Sequence, residues 1–128
     1  MKGYLIIGML VFGLASYGQI KPDAIVGKWL KAPKEDLVIR VYKTGTEYKG
    51  KIVKEKDVYK SKFVGFVILE NLQYNSDKQV WKGGKIHDPN PGKTYDAEAK
   101  IEKDGSLEVN CYLSMKFLGT KKYFRRIK

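Results

Sequence analysis

Strict alternation of apolar and polar residues is clearest between residues 95 and 113. Over Tyr95–Lys103 apolar residues alternate with charged ones, and the same period returns over Leu107–Leu113. A period of two places the apolar side chains on one face of a β-strand. Asp104-Gly105 stands between the two runs and favours a type I′ turn, which needs positive φ at both central positions. The pattern predicts two antiparallel strands joined by a tight hairpin.

Six further runs resemble strands in their alternation or apolar density. They are Ile25–Lys31, Asp36–Lys43, Glu47–Glu55, Gly65–Leu72, Gln79–Ile86 and Lys121–Ile127. Turn-forming residues separate several of them, as at Asn75-Ser76-Asp77. Val58–Val64 fits either a loop or one helical turn, and no stretch of about twelve residues carries an apolar period of 3.6. The chain is therefore predicted to be all-β.

Eight short antiparallel strands are expected to close on themselves, because an open sheet leaves unpaired edges. An eight-stranded antiparallel up-and-down barrel pairs every strand. Its interior is either filled by side chains or holds one small ligand. We predict this barrel as the fold.

The start of the chain does not share this pattern. Lys2 supplies a positive charge, Leu5–Leu14 is an almost unbroken apolar run, and small residues precede Gln19. These are the features of a secretory signal peptide. A transmembrane anchor is disfavoured, because the apolar run is shorter than the ~20 residues that span a bilayer. We predict a cleaved signal peptide over 1–18, one barrel domain over 19–128, and an exported protein that is periplasmic or secreted.

Charge and cysteine content narrow the classes of partner. The 128 residues include 25 Lys+Arg, 14 Asp+Glu and one Cys, with a net charge of +11. A lone Cys excludes an intramolecular disulfide scaffold and a Cys-rich zinc site. Export and the predominance of lysine over arginine argue against nucleic acid as a partner. The basic stretches Lys43–Lys62 and Lys116–Lys128 form either a solvated surface or a docking face for an anionic partner.

Three residues carry a first resemblance to a known class of barrel. Gly27 and Trp29 lie near the start of the predicted domain, and Arg126 lies near its end. A Gly-x-Trp on the first strand resembles the signature of lipocalin-like, or calycin-like, barrels. The resemblance implies that Trp29 plugs one end of the barrel and that Arg126 lies across the indole. A guanidinium stacks on an indole face while its N–H groups bind nearby carbonyls.

A second resemblance covers almost the whole predicted domain. It is carried by residues 25–29, 48–52, 65–69, 81–95 and 118–120, and by Arg126. Their order resembles the small secreted bacterial family catalogued as domain of unknown function 2147. The most distinctive stretch is Gly-Gly-x-Ile-x-Asp-Pro-x-x-Gly-Lys-Thr-Tyr at 83–95. Cys111 and Ser114 replace the usual Gly of that family, and Phe124 replaces its usual Trp. The resemblance implies a lipocalin-like barrel and no particular activity.

The distinctive stretch has a structural interpretation. Gly83 and Gly84 inside a strand permit a sharp bend, or the close approach of another backbone or of a ligand. Asp88-Pro89 and Gly92 are typical of a turn, and Tyr95 begins the next strand on its apolar face. Every conspicuous residue then has a conformational role.

The same stretch also permits a ligand site at the mouth of the barrel. Its candidate residues are Trp81, His87, Asp88 and Tyr95. Catalysis is not predicted, because adjacent residues such as His87 and Asp88 point to opposite faces of a strand. The single His cannot form a metal site alone. Cys111 falls on the apolar face, where a buried thiol is expected. We predict no catalytic residues, no metal and no cofactor.

Two functions remain open at this stage. The first is a non-catalytic binding protein whose interior, lined partly by Tyr95, Ala97 and Ala99, holds a small apolar or amphipathic molecule. The second is an envelope-associated protein whose two Lys-rich stretches bind anionic lipid or wall polymer. A packed interior would argue against the first, and salt-independent binding against the second.

Overall fold

The structure, a computed structural model, describes residues 19–89, 92–112 and 119–128. Eight strands form a closed barrel in chain order, each antiparallel to its neighbours, with the last strand paired to the first. The strands are β1 Gly27–Ala32, β2 Leu37–Thr44, β3 Glu47–Glu55, β4 Val67–Asn75, β5 Val80–His87, β6 Thr94–Ile101, β7 Leu107–Tyr112 and β8 Thr120–Ile127. The predicted eight-stranded up-and-down barrel is confirmed. The predicted signal peptide over 1–18 and Ser114 lie outside the described residues.

The hairpin between β6 and β7 is present, but the predicted type I′ turn is wrong. Ile101 pairs with Leu107, and only Gly105 in the connection has a positive φ, of 88°. The carboxylate of Asp104 accepts hydrogen bonds from the backbone N–H and the hydroxyl of Ser106, which hold the pKa of Asp104 below its usual value. This side-chain bonding favours a longer loop in which one glycine alone takes the left-handed conformation.

A 3₁₀ turn over Pro22–Ile25 covers one end of the barrel, called here the closed end. The indole N–H of Trp29 donates to Ile25 O at 2.9 Å, and that of Trp81 donates to Pro22 O at 3.1 Å. The hydroxyl of Tyr48 donates to Asp23. Burial, together with the hydrogen bond to Asp23 and its negative charge, raises the pKa of Tyr48 to about 12, so the phenol stays a donor at neutral pH.

The opposite end, called here the open end, is where β1, β3, β5 and β7 finish and β2, β4, β6 and β8 begin. The β3–β4 connection contains a second 3₁₀ segment over Val58–Phe63, so the helical interpretation of this ambiguous stretch is the right one. Gly65, with φ of 96°, donates its N–H to Ile52 O and delays the start of β4 to Val67, two residues later than predicted. No helix among the described residues is long and apolar enough to cross a membrane.

Inward-facing side chains are buried along most of the barrel. Trp29 near the closed end is completely buried, and Leu69, further toward the open end, is 1% exposed. Ile86, the partner of Leu69 on β5, is 9% exposed, and Tyr95 is only partly buried. The part of the interior from the level of Val109 to the open end is called here the open half.

Candidate functional site

The closed end is held by the residues that carry the lipocalin-like resemblance. The guanidinium carbon of Arg126 lies 4.3 Å from the centre of the Trp29 ring, and Nη1 donates to Val26 O at 3.0 Å. Nη2 donates to Ala24 O. A Cβ on Gly27 would lie 2.6 Å from Arg126 Nη1, and the φ of Gly27 is 140°. Glycine at 27 therefore leaves the space in which the arginine stacks on the indole.

Gly83 and Gly84 form a β-bulge. The pairing between β5 and β6 shifts between Trp81 and Gly84, and Gly83 has a φ of 74°. A Cβ on Gly84 would lie 2.6 Å from Cδ2 of Leu72 and 3.2 Å from Ala97 O. The close approach that Gly84 permits is thus made by a core side chain and by the neighbouring strand.

The alanines of β6 do not leave free space in the interior. Ala99 is registered with Trp81 and Ala97 with Gly84, and both alanines are almost completely buried in the core cluster. The small residues accommodate the indole of Trp81 and the side chain of Leu72. Tyr95, nearer the open end on the same strand, is only partly buried.

The structure separates the four residues proposed for the ligand site. Trp81 and His87 lie at opposite ends of β5, about 20 Å apart at 3.3 Å per residue. Tyr95 is registered with buried Ile86 and therefore faces the interior, whereas His87, the next residue, faces outward. Asp88 lies in the connection, where its N–H donates to Lys93 O and its carbonyl accepts from Gly92. Of the four, Tyr95 alone lines the open half.

His87 belongs to a polar group on the outer wall that the sequence did not indicate. Its Nε2 lies 2.6 Å from a carboxylate oxygen of Glu70 on β4, and its Nδ1 lies 3.0 Å from the hydroxyl of Thr94 on β6. An open cleft of about 360 Å³ lies beside it, lined by the start of β4 and by the β5–β6 connection. The contacts tie three strands together near the open end. Glu70 and Thr94 become neighbours of His87 only through strand register, so no local sequence signal marks them.

The described residues of the predicted basic stretch Lys116–Lys128 are divided between the two faces of β8. Arg125 pairs with Glu35 at 2.8 Å, and Arg126 is bound to carbonyls at the closed end. Lys121 faces outward while Lys122 is registered with buried Val109. Lys116 lies outside the described residues. Among the described residues, these basic side chains do not form one continuous surface.

The remaining groups considered are the thiol of Cys111 and the side chains that could bind a metal ion in the described part of the chain. Cys111 is buried as predicted, and burial raises the pKa of its thiol, an effect that the nearby positive charge of Lys122 partly offsets. Residues 19–89, 92–112 and 119–128 contain no group of three His, Cys, Asp or Glu side chains that could hold a metal ion.

A family model described as "Uncharacterized protein conserved in bacteria (DUF2147)" matches residues 27–126, from the glycine at the closed end to the arginine beside it. The chain belongs to the DUF2147 family. No curated protein matches it. Among solved structures, this DUF2147 barrel is similar to protein HP1028 from Helicobacter pylori, which is described as belonging to the lipocalin family.

The likeness to HP1028 has a TM-score of 0.66 and 19% sequence identity, over 81% of this chain and 83% of that chain. At this identity it shows a shared fold.

Proposed function

We propose that this protein is exported and binds a small apolar or amphipathic molecule in the open half of its barrel, without catalysing a reaction on it. The barrel with one covered and one open end carries the proposal, because such barrels hold small ligands in their interior. Trp29 and Trp81 close one end, and inward-facing Tyr95 near the other end is only partly buried. An apolar ligand that covers this surface removes apolar area from water on both partners.

N-phenyl-1-naphthylamine, a neutral apolar fluorophore, tests this proposal. We expect saturable one-to-one binding with a Kd on the order of 10⁻⁵–10⁻⁴ M, at about 0.3–0.4 kcal/mol per non-hydrogen atom. The rise in fluorescence on titration measures it. The same titration with urea-unfolded protein is the control.

Cys111 reports where the fluorophore binds, since it is the single cysteine of the chain. Its reaction with 5,5′-dithiobis(2-nitrobenzoate) is expected to be slow, because burial raises the pKa of the thiol. Saturating fluorophore should slow the reaction several-fold further. Absence of binding, or binding that leaves the rate at Cys111 unchanged, would contradict the proposal.

A second candidate function is docking on an anionic lipid surface. It is favoured by the 3₁₀ segment at the open end, where Val58 and Tyr59 are 77% and 87% exposed and Lys60 and Lys62 follow in the last turn. Apolar side chains that enter a bilayer and lysines that meet its anionic headgroups act together in peripheral binding. Apolar side chains gain nothing comparable from a wall polymer, so a bilayer is the partner that fits both.

Sedimentation with vesicles of phosphatidylcholine and phosphatidylglycerol tests the docking. Val58→Ser combined with Tyr59→Ser is expected to weaken binding about 5- to 30-fold, since each side chain loses part of its apolar burial. Val26→Ser is the matched control, because Val26 is 38% exposed but lies at the closed end. If binding is salt-sensitive but the substitutions at 58 and 59 do not weaken it, the adsorption is purely electrostatic and this candidate is contradicted.

A further inference from the structure

Two lysines face the interior of the barrel rather than the solvent around it. Lys31 lies two residues after buried Trp29 on β1 and is registered with buried Phe124 on β8. Lys122 lies two residues before Phe124 and is registered with buried Val109. Residues two apart on a strand, and residues paired across antiparallel strands, share a face. Both lysines are therefore on the inner face, and both are only partly buried.

The two lysines are also neighbours. Phe124 is the partner of Lys31, so Lys122 occupies the adjacent diagonal position on β8, at a Cα separation of about 7–8 Å. β1 runs toward the open end and β8 runs away from it. Lys122 precedes Phe124 on β8 and is therefore nearer the open end, and Lys31 lies one residue before the end of β1 at the same side. Both side chains lie on one wall of the open half.

Neither lysine has a counter-ion among the described residues. The ion pairs of the described chain involve other cations, such as Lys85 with Asp96 and Lys100 with Glu102. Glu55, registered with Leu37 on another wall, accepts a hydrogen bond from the N–H of Asp57. The positive charge of Lys122 acts on the buried thiol of Cys111, which places this charge beside the interior wall.

Two adjacent cations beside an apolar wall are unfavourable unless an anion joins them. Both side chains are partly buried on the same wall, and their like charges repel each other. An anionic group held between them relieves this repulsion. Phe124 and Cys111 supply apolar surface next to the same position.

We propose that the ligand of the open half is an anionic amphiphile whose head group binds Lys31 and Lys122 while its apolar body lies against Phe124 and the inner faces of β6 and β7. The inference rests on the proposed function and adds the charge of the ligand and the residues that recognise it. The recognised chemistry is a single carboxylate, sulfonate or phosphate on an apolar body, because lysine acts on such groups as a mobile point charge.

Two probes that differ by one sulfonate test this inference. N-phenyl-1-naphthylamine is neutral, and 1-anilinonaphthalene-8-sulfonate is the same aromatic body with an anionic group. We expect Lys31→Met combined with Lys122→Met to weaken binding of the sulfonate about 10- to 100-fold, as for the loss of charged hydrogen bonds. Binding of the neutral probe should stay within about 3-fold, since methionine keeps the length and apolar stem of lysine.

The matched control changes two lysines on the outer face of the same strands. Lys28→Met combined with Lys121→Met removes the same net charge, and both residues are exposed. It should leave binding of the sulfonate within about 3-fold at 150 mM salt, where distant charges are screened. Circular dichroism and thermal unfolding verify that each variant is folded, and the single variants Lys31→Met and Lys122→Met replace the double variant if it is not.

Competition identifies the head group. Dodecanoate and dodecyl phosphate are expected to displace the sulfonate from the unaltered protein, whereas dodecanol is not. Displacement by only one of the two anions would assign the ligand to that source.

The outcomes separate this inference from the function on which it rests. If neither fluorophore binds, the proposed function itself fails. If the neutral probe binds and protects Cys111 but the sulfonate does not bind, or responds equally to the inner and outer variants, the proposed function stands and the anionic head group is excluded.

Discussion

A Trp29→Ala variant is expected to lose about 3–5 kcal/mol of unfolding free energy, the range for removing a large aromatic side chain from a core. Trp29 is completely buried, donates its indole N–H to Ile25 O, and carries the guanidinium of Arg126 on its face. Alanine would leave a cavity at the closed end. It would also leave the Ile25 carbonyl without its donor and Arg126 without its stacking partner.

Urea unfolding followed by circular dichroism measures this loss. Trp29→Phe keeps a ring but removes the N–H, so it should cost less, about 1–3 kcal/mol. Arg126→Met should cost a similar amount, because the guanidinium loses its stacking and its bonds to Val26 O and Ala24 O. A loss below about 1 kcal/mol for Trp29→Ala would show that the indole does not hold the closed end.

Gly84→Ala is expected to destabilise the barrel by about 1–3 kcal/mol, as when one methyl group is forced into a filled core. The added Cβ would lie 2.6 Å from Cδ2 and 2.9 Å from Cγ of Leu72. Leu72 is completely buried, so it cannot move away into solvent. The backbone carbonyl of Ala97, at 3.2 Å, limits movement on the other side.

A double-mutant cycle with Leu72→Ala identifies the cause of that loss. Leu72→Ala alone should cost about 2–5 kcal/mol. In its background Gly84→Ala should cost at least ~1 kcal/mol less than in the unaltered protein, because the clashing atoms are gone. Gly50→Ala is the control, since its Cβ would meet Leu69 at an ordinary 3.4 Å. Equal losses at 84 and 50, or a cycle without coupling, would refute the steric explanation.

The strands could be predicted from the sequence because each has one face in the core. Period-two alternation follows directly from that burial, and it indicated all eight strands. Their ends were less predictable where backbone bonding decides them. Gly65 and Ile52 form a contact between separate strands that moves the start of β4, and the carboxylate of Asp104 selects the turn before β7.

The candidate site was predictable only in part, for a related reason. Tyr95 was placed on the inner face by its alternation, whereas the neighbours of His87 depend on the register between β4, β5 and β6, which bulges shift. Lys31 and Lys122 did carry a local signal. Each lies two residues from a core aromatic, Trp29 or Phe124. The period of two along a strand is therefore enough to predict that both lysines face the interior. Their basic character made them resemble parts of a solvated surface instead.

The pairing of β8 with β1 has a consequence for how the barrel forms. Arg126 binds the carbonyl of Val26, 100 residues away in sequence, so the last contacts to be possible during synthesis are those that close the ring. Until β8 emerges, β1 and β7 each present a free edge that can pair with another chain. Contacts of such long sequence separation also slow folding. A chain that lacks only its final strand therefore exposes two unpaired strand edges, which can pair with other chains, as well as the interior of the barrel.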